Sequence, residues 1–338
     1  MRYTIKDVAK EADVSVTTVS KIINNNDSDI SAKTIERVKR IIEQKGYVPN
    51  NAARSMVTKK SKMVGLILPD ISNNYFAKIA REVETVFKGL GYSVILCNSD
   101  DDYDIEIEYF YLLLKKGVDG VIVVPSVRSS EEGFKSVKYE KKPMVFLDRV
   151  FNFQETEAAL GNVYFNNVEG GYQACKYLLD NGHRKIACIT GPLQQKSAAD
   201  RLEGYKKALT EYGVEIRDEW IFEGNYRFDS GQSFANQIFN EDVTAVFAQN
   251  DLMATGIYSV AIESGIQIGK DLSVIGYDDS DYCEILSPKL TSVSQASMEM
   301  CDAAVHMLKD LMEGVPCNKL REFLPSIKIR NSIYKCEY

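Results

Sequence analysis

The 338-residue chain has two histidines, one tryptophan and no uninterrupted apolar run of the roughly 18 residues that a membrane span needs. Its first residues, "MRYTIKDVAKEADV", lack the apolar core of a signal peptide. The seven cysteines are scattered and none forms a C-x-x-C pair, so the sequence predicts neither a disulfide framework nor a zinc site. We therefore expect a cytoplasmic protein without a bound metal or cofactor.

Motifs for enzyme chemistry are also scarce. His183 and His306 alone give too few imidazoles for a histidine-based metal site or catalytic triad. No G-x-G-x-x-G follows a predicted strand, and "GIQIGKD" (Gly265 to Asp271) lacks the spacing and the hydroxyl residue of a phosphate-binding loop. These absences argue against an enzyme and against nucleotide chemistry.

The N-terminal segment contains three predicted short helices. "TIKDVAKEAD" has apolar residues at helical spacing behind the capping residue Thr4. "VSVTTVSKIINN" is rich in β-branched residues, which favour strands, but Ser15 can cap a helix and the apolar positions repeat at helical spacing. A third helix follows in "ISAKTIERVKRIIEQKGY". Two helices joined by a tight turn and braced by a third form a helix-turn-helix unit, whose second helix enters the DNA major groove.

Charge is distributed unevenly along the chain. Residues 1 to 62 contain 13 Lys and Arg against 7 Asp and Glu, whereas the whole chain has a net charge of −7. A basic N-terminal segment on an acidic protein is typical of a nucleic-acid-binding module fused to a second domain. The segment "YVPNNAARSMVTKKSK" follows, and its middle part, Asn51 to Val57, is long enough for a helix of about two turns. We expect this helix to become ordered only against DNA and a dimer mate, the alternative being a disordered tether.

From Met63 onward, β-branched apolar runs alternate with helical segments. The runs are "MVGLILPD", "SVILCNSD", "GVIVVPS", "PMVFLDR", "KIACITGP", "TAVFAQND" and "LSVIGYDD". Continuous apolar runs of this kind predict parallel strands buried on both faces, in an α/β doubly wound fold. Ligands of such sheets bind at the carboxyl ends of the strands.

Polar side chains recur at those predicted strand ends. Carboxylates, amides and guanidinium groups hydrogen-bond hydroxyls, and aromatic faces cover the C–H surface of a sugar ring. The groups concerned are Asp148, Arg149, Asn250, Asp251, Asp278 and Asp279, with Tyr75, Phe76, Phe228 and Tyr277 nearby. The pattern predicts a sugar-binding cleft.

The motifs of the first 56 residues, in their order and spacing, resemble the head of the lactose and galactose repressor (LacI/GalR) family of transcription regulators. The quoted stretches "TIKDVAKEADVSVTTVSKIINN", "ISAKT" and "GYVPNNAARSM" carry this resemblance. It implies base reading by Val16, Thr17 and Lys21 and insertion of Ala53 and Met56 into the minor groove. It also implies contacts to the DNA backbone by Ser15, Thr18, Asn24, Tyr47 and Asn50. Thr4, at the start of the first helix, is expected to contact DNA as well. The chain departs from the family in having Met56 where most members have Leu, and in one extra residue within "NNNDSDIS".

The remaining chain resembles the two-lobed periplasmic sugar-binding fold that this family uses as its sensor. Within the family, "RKIACITGP", "AADRLEGYKKAL", "RFDSG", "AVFAQNDLMATG" and "SVIGYDD" are most similar to ribose operon repressors. The resemblance implies a pocket made of Asn73, Tyr75, Phe76, Asp148, Arg149, Arg201, Phe228, Asn250, Tyr277, Asp278 and Gln295. After the second strand an acidic run, "SDDD", replaces the Asn of ribose-binding proteins, so Asp102 or a neighbour is expected to alter one hydroxyl contact.

These inferences define a domain organisation. We expect a helix-turn-helix domain at 1–48, a hinge helix and linker at 49–62, and a two-lobed effector domain at 63–338. The first lobe is predicted at 63–160 and 292–320, and the second at 161–291 and 321–338. Only six residues follow "IKIRNS", too few for the heptad bundle of tetrameric members, so a homodimer is expected.

The functional hypothesis is a repressor of ribose-like sugar utilisation genes that leaves a palindromic operator when sugar fills the cleft. An alternative keeps the DNA-binding regulator but gives it a purine, a phosphosugar or a protein co-repressor as effector. The sequence leaves a phosphate ester open, because Arg149 and Arg201 suit an anion as readily as hydroxyls. A remote alternative is a sugar-modifying enzyme with a fused DNA-binding head.

Overall fold

A computed structural model shows two compact units, residues 1–61 and 62–338, which are described separately. The structure describes residues 3–24, 26–47, 60–126, 142–149, 160–295 and 297–337. The predicted hinge helix and its residues Asn50, Ala53 and Met56 lie outside these ranges.

The described residues of the first unit form three helices: α1 (Ile5–Glu11), α2 (Val16–Ile23) and α3 (Ala32–Lys45). Each begins after a residue whose hydroxyl accepts a hydrogen bond from a backbone N–H in the first turn: Thr4, Ser15 and Ser31. The Ser15 cap helps to explain why the β-branched stretch of α2 is helical, because its hydroxyl accepts a backbone N–H that would otherwise lack a partner at the start of the helix.

Small and β-branched side chains from all three helices form the core of this unit. Val8, Val19 and Val38, one from each helix, are fully buried. α3 ends at Gly46, whose φ of +58° is the left-handed conformation that glycine adopts without steric cost. The predicted helix-turn-helix fold is therefore confirmed.

In the second unit, the residues that the structure describes form two six-stranded sheets. The first sheet has the order β11-β5-β4-β3-β1-β2 with all strands parallel. Its strands are β1 (Met63–Leu68), β2 (Ser93–Asn98), β3 (Gly120–Val123), β4 (Met144–Leu147), β5 (Leu160–Phe165) and β11 (Leu320–Phe323). Helices α4 (Asn74–Gly89), α5 (Tyr103–Lys116) and α11 (Ser297–Glu313) pack against it.

The second sheet has the order β12-β10-β9-β8-β6-β7, parallel except for the pairing of β12 with β10. Its strands are β6 (Ile186–Thr190), β7 (Ile221–Glu223), β8 (Ala245–Ala248), β9 (Ser273–Tyr277), β10 (Thr291–Ser294) and β12 (Ser326–Lys328). The accompanying helices are α6 (Asn167–Asp180), α7 (Lys196–Glu211), α8 (Phe228–Asn240), α9 (Asp251–Ser264) and α10 (Tyr282–Ile285).

Each sheet with its helices forms a lobe, and the chain crosses between the lobes three times. The crossings follow β5, β10 and β11, so the lobes comprise 63–165 with 297–323, and 167–294 with 326–337. The sequence-based boundaries at 160, 291 and 320 are therefore each a few residues early. The physical reason is that β5, β10 and β11 each complete a ladder with the sheet they leave before the chain changes lobe.

All seven apolar runs form strands, and the predicted two-lobed α/β fold is confirmed. Five shorter or more polar strands among the described residues were not predicted, namely β5, β7, β10, β11 and β12. β7 and β12 have three residues each and are the edge strands of the second sheet as described. Such strands carry no continuous apolar signal.

Candidate functional site

The exposed face of α2 is the surface that the sequence predicts to read DNA. Ser15, Val16, Thr17 and Asn24 are exposed, and Val16 has 41% of its surface accessible although it is apolar. Thr18 is half-buried, and its backbone N–H donates to Ser15 Oγ at 3.0 Å. A short, exposed and uncharged face of this kind lets a helix approach base edges closely, and the methyl groups of Val16 and Thr17 suit thymine.

Two predicted DNA-binding side chains, Lys21 and Thr4, have carboxylate partners within the first unit. Lys21 Nζ lies 2.5 Å from Asp29 Oδ2, so the ammonium must exchange this carboxylate for DNA. Thr4 Oγ1 lies 2.6 Å from Asp7 Oδ2 in a capping box, as the sequence predicts.

Tyr47, for which the resemblance to the LacI/GalR family implies a contact to the DNA backbone, also has a role in the fold of the first unit. Its ring belongs to the buried core of the first unit, and burial raises the pKa of its hydroxyl. Tyr47 therefore supports the fold of this unit, in addition to any backbone contact that it makes to DNA.

A cleft of about 800 Å³ opens between the two lobes. Four predicted pocket residues line it: Asn73, Phe76 and Arg149 from the first lobe and Phe228 from the second. Phe228 is 37% exposed, whereas Phe76 is buried at the edge of the first core. A second opening of about 620 Å³ adjoins Asp148 and Arg149 on the side of the β5 crossing.

Other predicted pocket residues form a buried network at the junction of the lobes. Tyr75 Oη lies 2.7 Å from Asp148 Oδ1 and 3.0 Å from Gln295 Oε1. Gln295 Nε2 donates to Asp278 Oδ1 at 2.9 Å. Because Asp148 follows β4 and Asp278 follows β9, this chain of hydrogen bonds joins the carboxyl ends of the two sheets.

The two carboxylates are held in unusual backbone conformations. Asp148 has a φ of +67° and Asp278 a φ of +105°, which non-glycine residues rarely adopt. Burial raises the pKa of Asp278 well above its usual range, the Arg201 guanidinium opposes this, and the negative charges of Asp251 and Asp148 add to it.

Arg201 lies beside this network. Its guanidinium carbon is 3.7 Å from the centre of the Tyr277 ring, Nε donates to Asn167 Oδ1 at 2.8 Å, and Nη1 donates to the Gln249 carbonyl at 2.7 Å. Burial opposes its charge, but the phenols and carboxylates around it raise its pKa. Arg201 thus remains a buried cation beside the junction of the lobes.

Arg149 spans the carboxyl edge of the first sheet. Nη1 donates to Asp101 Oδ1 at 2.9 Å and to the Pro125 carbonyl at 2.8 Å, and the guanidinium carbon is 5.6 Å from the centre of the Phe76 ring. The acidic run therefore does reach the cleft, through Asp101. Asp102 instead caps α5 by accepting from the backbone N–H of Asp104 and Ile105.

Two predicted pocket amides cap helices. Asn73 Oδ1 accepts from the N–H of Tyr75, and Asn250 Oδ1 accepts from the N–H of Met253. Asn250 Nδ2 also donates to the Tyr226 carbonyl at 2.8 Å. A ligand hydroxyl that binds either amide must share it with a helix cap.

Several cleft residues were not identified from the sequence. They include Asp70, Asn98, Gln195, Tyr226 and Arg227. Asp70 and Asn98 stand at the ends of β1 and β2, so the same strand-end rule identifies them, whereas Gln195, Tyr226 and Arg227 come from loops. Gln195 is 5% exposed, and its Oε1 has no hydrogen-bond partner within the described part of the chain.

His183 has a structural role. Nδ1 lies 3.0 Å from Thr244 Oγ1 and Nε2 lies 3.1 Å from the Tyr334 carbonyl, at the turn between α6 and β6. Burial lowers the pKa of this imidazole. Among the described residues there is no group of three potential metal ligands, and none of the described helices is long and apolar enough to span a membrane.

A helix-turn-helix unit followed by a two-lobed α/β body with a polar cleft defines a ligand-responsive DNA-binding regulator. Residues 4–50 match the model of bacterial regulatory proteins of the lacI family, and residues 175–333 match a periplasmic binding protein-like domain. The chain belongs to the LacI family of transcription regulators. This membership makes it a regulator rather than an enzyme.

Similar proteins match along nearly the whole chain. The HTH-type transcriptional repressor PurR of Vibrio vulnificus is 33% identical over 98% of this chain and 99% of its own. The crystal structure of the lac repressor dimer bound to operator and the anti-inducer ONPF has a TM-score of 0.85 at 27% identity, covering 99% of this chain and 100% of that one. A LacI family regulator from Enterococcus faecium with bound ribose has a TM-score of 0.73 at 28% identity, covering 81% of this chain and 100% of its own.

Proposed function

We propose that this DNA-binding repressor is a cytoplasmic homodimer that controls genes for the use of a ribose-like sugar. In this proposal the sugar binds in the cleft between the lobes and releases the protein from a palindromic operator. The observation that carries the proposal is the meeting of carboxylate, guanidinium and amide groups from the strand ends of both sheets at one cleft.

The chemistry of those groups suits several hydroxyls at once. A hydroxyl both donates and accepts, so it pairs with a carboxylate on one side and a guanidinium N–H on the other. Asp148 and Asp278 supply acceptors from different lobes, and Arg149 and Arg201 supply donors close by. Phe76 and Phe228, which line the same cleft from opposite lobes, offer apolar faces for ring C–H groups.

The similar structures add support. The Enterococcus faecium regulator was solved with ribose, and the lac repressor was solved as a dimer on its operator. In this proposal the sugar closes the lobes by bridging the two sets of strand-end groups. Closure shifts the first lobes of the dimer relative to each other, so that the DNA-binding heads separate.

A purine is the second candidate effector. The two phenylalanine rings at the cleft favour it, because they are as well suited to a flat heterocycle as to a sugar ring. A purine co-repressor would reverse the sign, since it would tighten operator binding.

The test is calorimetric titration of the purified protein with D-ribose and, separately, with hypoxanthine. We expect heat with ribose that is lost in Arg149→Ala and retained in Arg81→Ala, which removes an exposed guanidinium outside this cleft. Heat with hypoxanthine alone would overturn the ribose proposal and support the second candidate. Ribose binding that survives Arg149→Ala would place the sugar elsewhere.

A further inference from the structure

Asp101 and Arg149 form an ion pair inside the cleft, at the place where the sequence leaves a phosphate ester open as effector. The side chain of Arg149 is 15% exposed and that of Asp101 is 32% exposed, so the pair is partly shielded from water. The geometry points to Asp101 as a specificity-determining residue: by pairing with Arg149 it restricts the effector to an uncharged polyhydroxyl ligand and excludes its phosphate ester. This inference rests on the proposed sugar effector.

The backbone fixes the position of Asp101. Its N–H donates to the Pro69 carbonyl at 2.8 Å, and the N–H of Ser99 donates to the Leu68 carbonyl at 2.9 Å, so the turn after β2 is tied to the end of β1. Asp100 and Asp101 have φ values of +52° and +58°. Two consecutive non-glycine residues in the left-handed region are costly, and the surrounding hydrogen bonds hold them there.

Arg149 is held from the other side. Its Nη1 is shared between Asp101 Oδ1 and the Pro125 carbonyl, so the guanidinium joins the segments that follow β2, β3 and β4. Both partners belong to the first lobe, and the pair therefore persists whether the lobes open or close.

A phosphate that approached Arg149 would compete with the Asp101 carboxylate for Arg149 Nη1. Like charges within about 4–6 Å disfavour one another strongly in a partly shielded site. A hydroxyl meets the opposite situation, because it can donate to the carboxylate while it accepts from the guanidinium. The ion pair thus suits a sugar hydroxyl and repels a phosphate.

The other charges of the cleft act in the same direction. Four carboxylates and two guanidinium groups line it: Asp70, Asp100, Asp101, Asp229, Arg149 and Arg227. Negative charge therefore exceeds positive charge in the lining of the cleft, which disfavours an anionic ligand.

Asp101→Asn tests the role of the carboxylate, since Asn is nearly isosteric and tolerates the left-handed conformation. The control is Asp100→Asn, which removes the same charge from the same turn and the same cleft, although the Asp100 carboxylate pairs with Asn98 rather than with Arg149. Thermal melting of both variants verifies that they fold.

The experiment is calorimetric titration of the three full-length proteins with D-ribose, D-ribose 5-phosphate and inorganic phosphate. We expect the unaltered protein to bind ribose more tightly than either phosphate ligand. Asp101→Asn should gain affinity for both phosphate ligands by about tenfold or more, the scale of one charge-assisted contact, and Asp100→Asn by less than about threefold.

Ribose 5-phosphate binding by the unaltered protein as tight as that of ribose would overturn the inference. An Asp101→Asn protein that binds neither phosphate ligand would do the same. If no protein binds ribose, the proposed sugar effector fails. The inference on Asp101 is then decided by inorganic phosphate, which needs only the guanidinium.

Discussion

In the protein without DNA, the ammonium group of Lys21, which is predicted to contact DNA, is paired with the carboxylate of Asp29. The ammonium nitrogen is 2.5 Å from the carboxylate, and both side chains are substantially exposed. An exposed ion pair of this kind contributes little to stability, so exchange for a base or phosphate is inexpensive. The resemblance to the LacI family predicts that Lys21 reads a base.

Lys21→Ala is therefore expected to lower affinity for the operator by about 1–3 kcal/mol while affecting unrelated DNA much less. Fluorescence anisotropy with an operator selected from a random DNA pool, and with a scrambled duplex, measures both affinities. Lys10→Ala is the control, because it removes an exposed lysine from the last turn of α1. Equal losses on both duplexes in Lys21→Ala would show that Lys21 only neutralises phosphate.

The sequence did not predict the contacts that several site residues make within the protein. Tyr47 belongs to a buried core, Asn250 caps α9, and within the acidic run it is Asp101 that pairs with Arg149. Such outcomes depend on which neighbours a fold brings within about 3 Å, and sequence spacing does not specify that distance.

At the scale of elements, α6 and α7 approach each other unusually closely. An added Cβ at Gly204 would lie 2.0 Å from the Val168 carbonyl oxygen, and one at Gly171 would lie 2.0 Å from the Arg201 carbonyl oxygen. Only glycine permits this backbone contact. The contact positions the part of α7 that carries Arg201.

Gly204→Ala is expected to destabilise the second lobe by about 1–3 kcal/mol or more, because the methyl group meets backbone that cannot move aside. It should also weaken ligand binding, since α7 shifts with Arg201. Trp220, the single tryptophan, is buried in the second lobe, so its fluorescence during urea denaturation reports the change.

The control for this prediction is Gly89→Ala at the end of α4. No described atom lies within 4 Å of a Cβ added there, so circular-dichroism melting should show little change or a small gain. A Gly204→Ala protein with unaltered melting and Trp220 denaturation would mean that the two helices separate without cost.

Elements differ in how much of them the sequence reveals. Long apolar strands and capped helices were predictable because burial on both faces and helix capping impose periodic patterns. The strands β5, β10 and β11 complete their sheets through backbone pairing, and their side chains are mixed. Their sheet membership, and with it the position of each crossing, follows from tertiary pairing.

At the scale of the whole molecule, the proposed function makes a reciprocal prediction. If ribose induces release, saturating ribose should weaken operator affinity by about 5- to 150-fold, and the operator should weaken ribose affinity by the same factor. Anisotropy titrations at zero and saturating ribose, and calorimetry with and without operator, measure the two factors independently.

Operator affinity should also fall steeply with salt, because the basic N-terminal segment displaces counterions from DNA. An affinity that does not change with salt would contradict the role of that segment.

Tighter operator binding in the presence of ribose would contradict the proposed release by sugar, because it would make ribose a co-repressor.

The sequence by itself determined the two-part architecture, the three capped helices of the head and the class of chemistry at the strand ends. It did so because periodicity, capping and charge are local properties. Only the tertiary structure decided where the chain crosses between the lobes, which polar groups join the two sheets, and that Asp101 pairs with Arg149. Those outcomes depend on contacts between residues tens to hundreds of positions apart, such as Tyr75 with Gln295, and no local pattern encodes them.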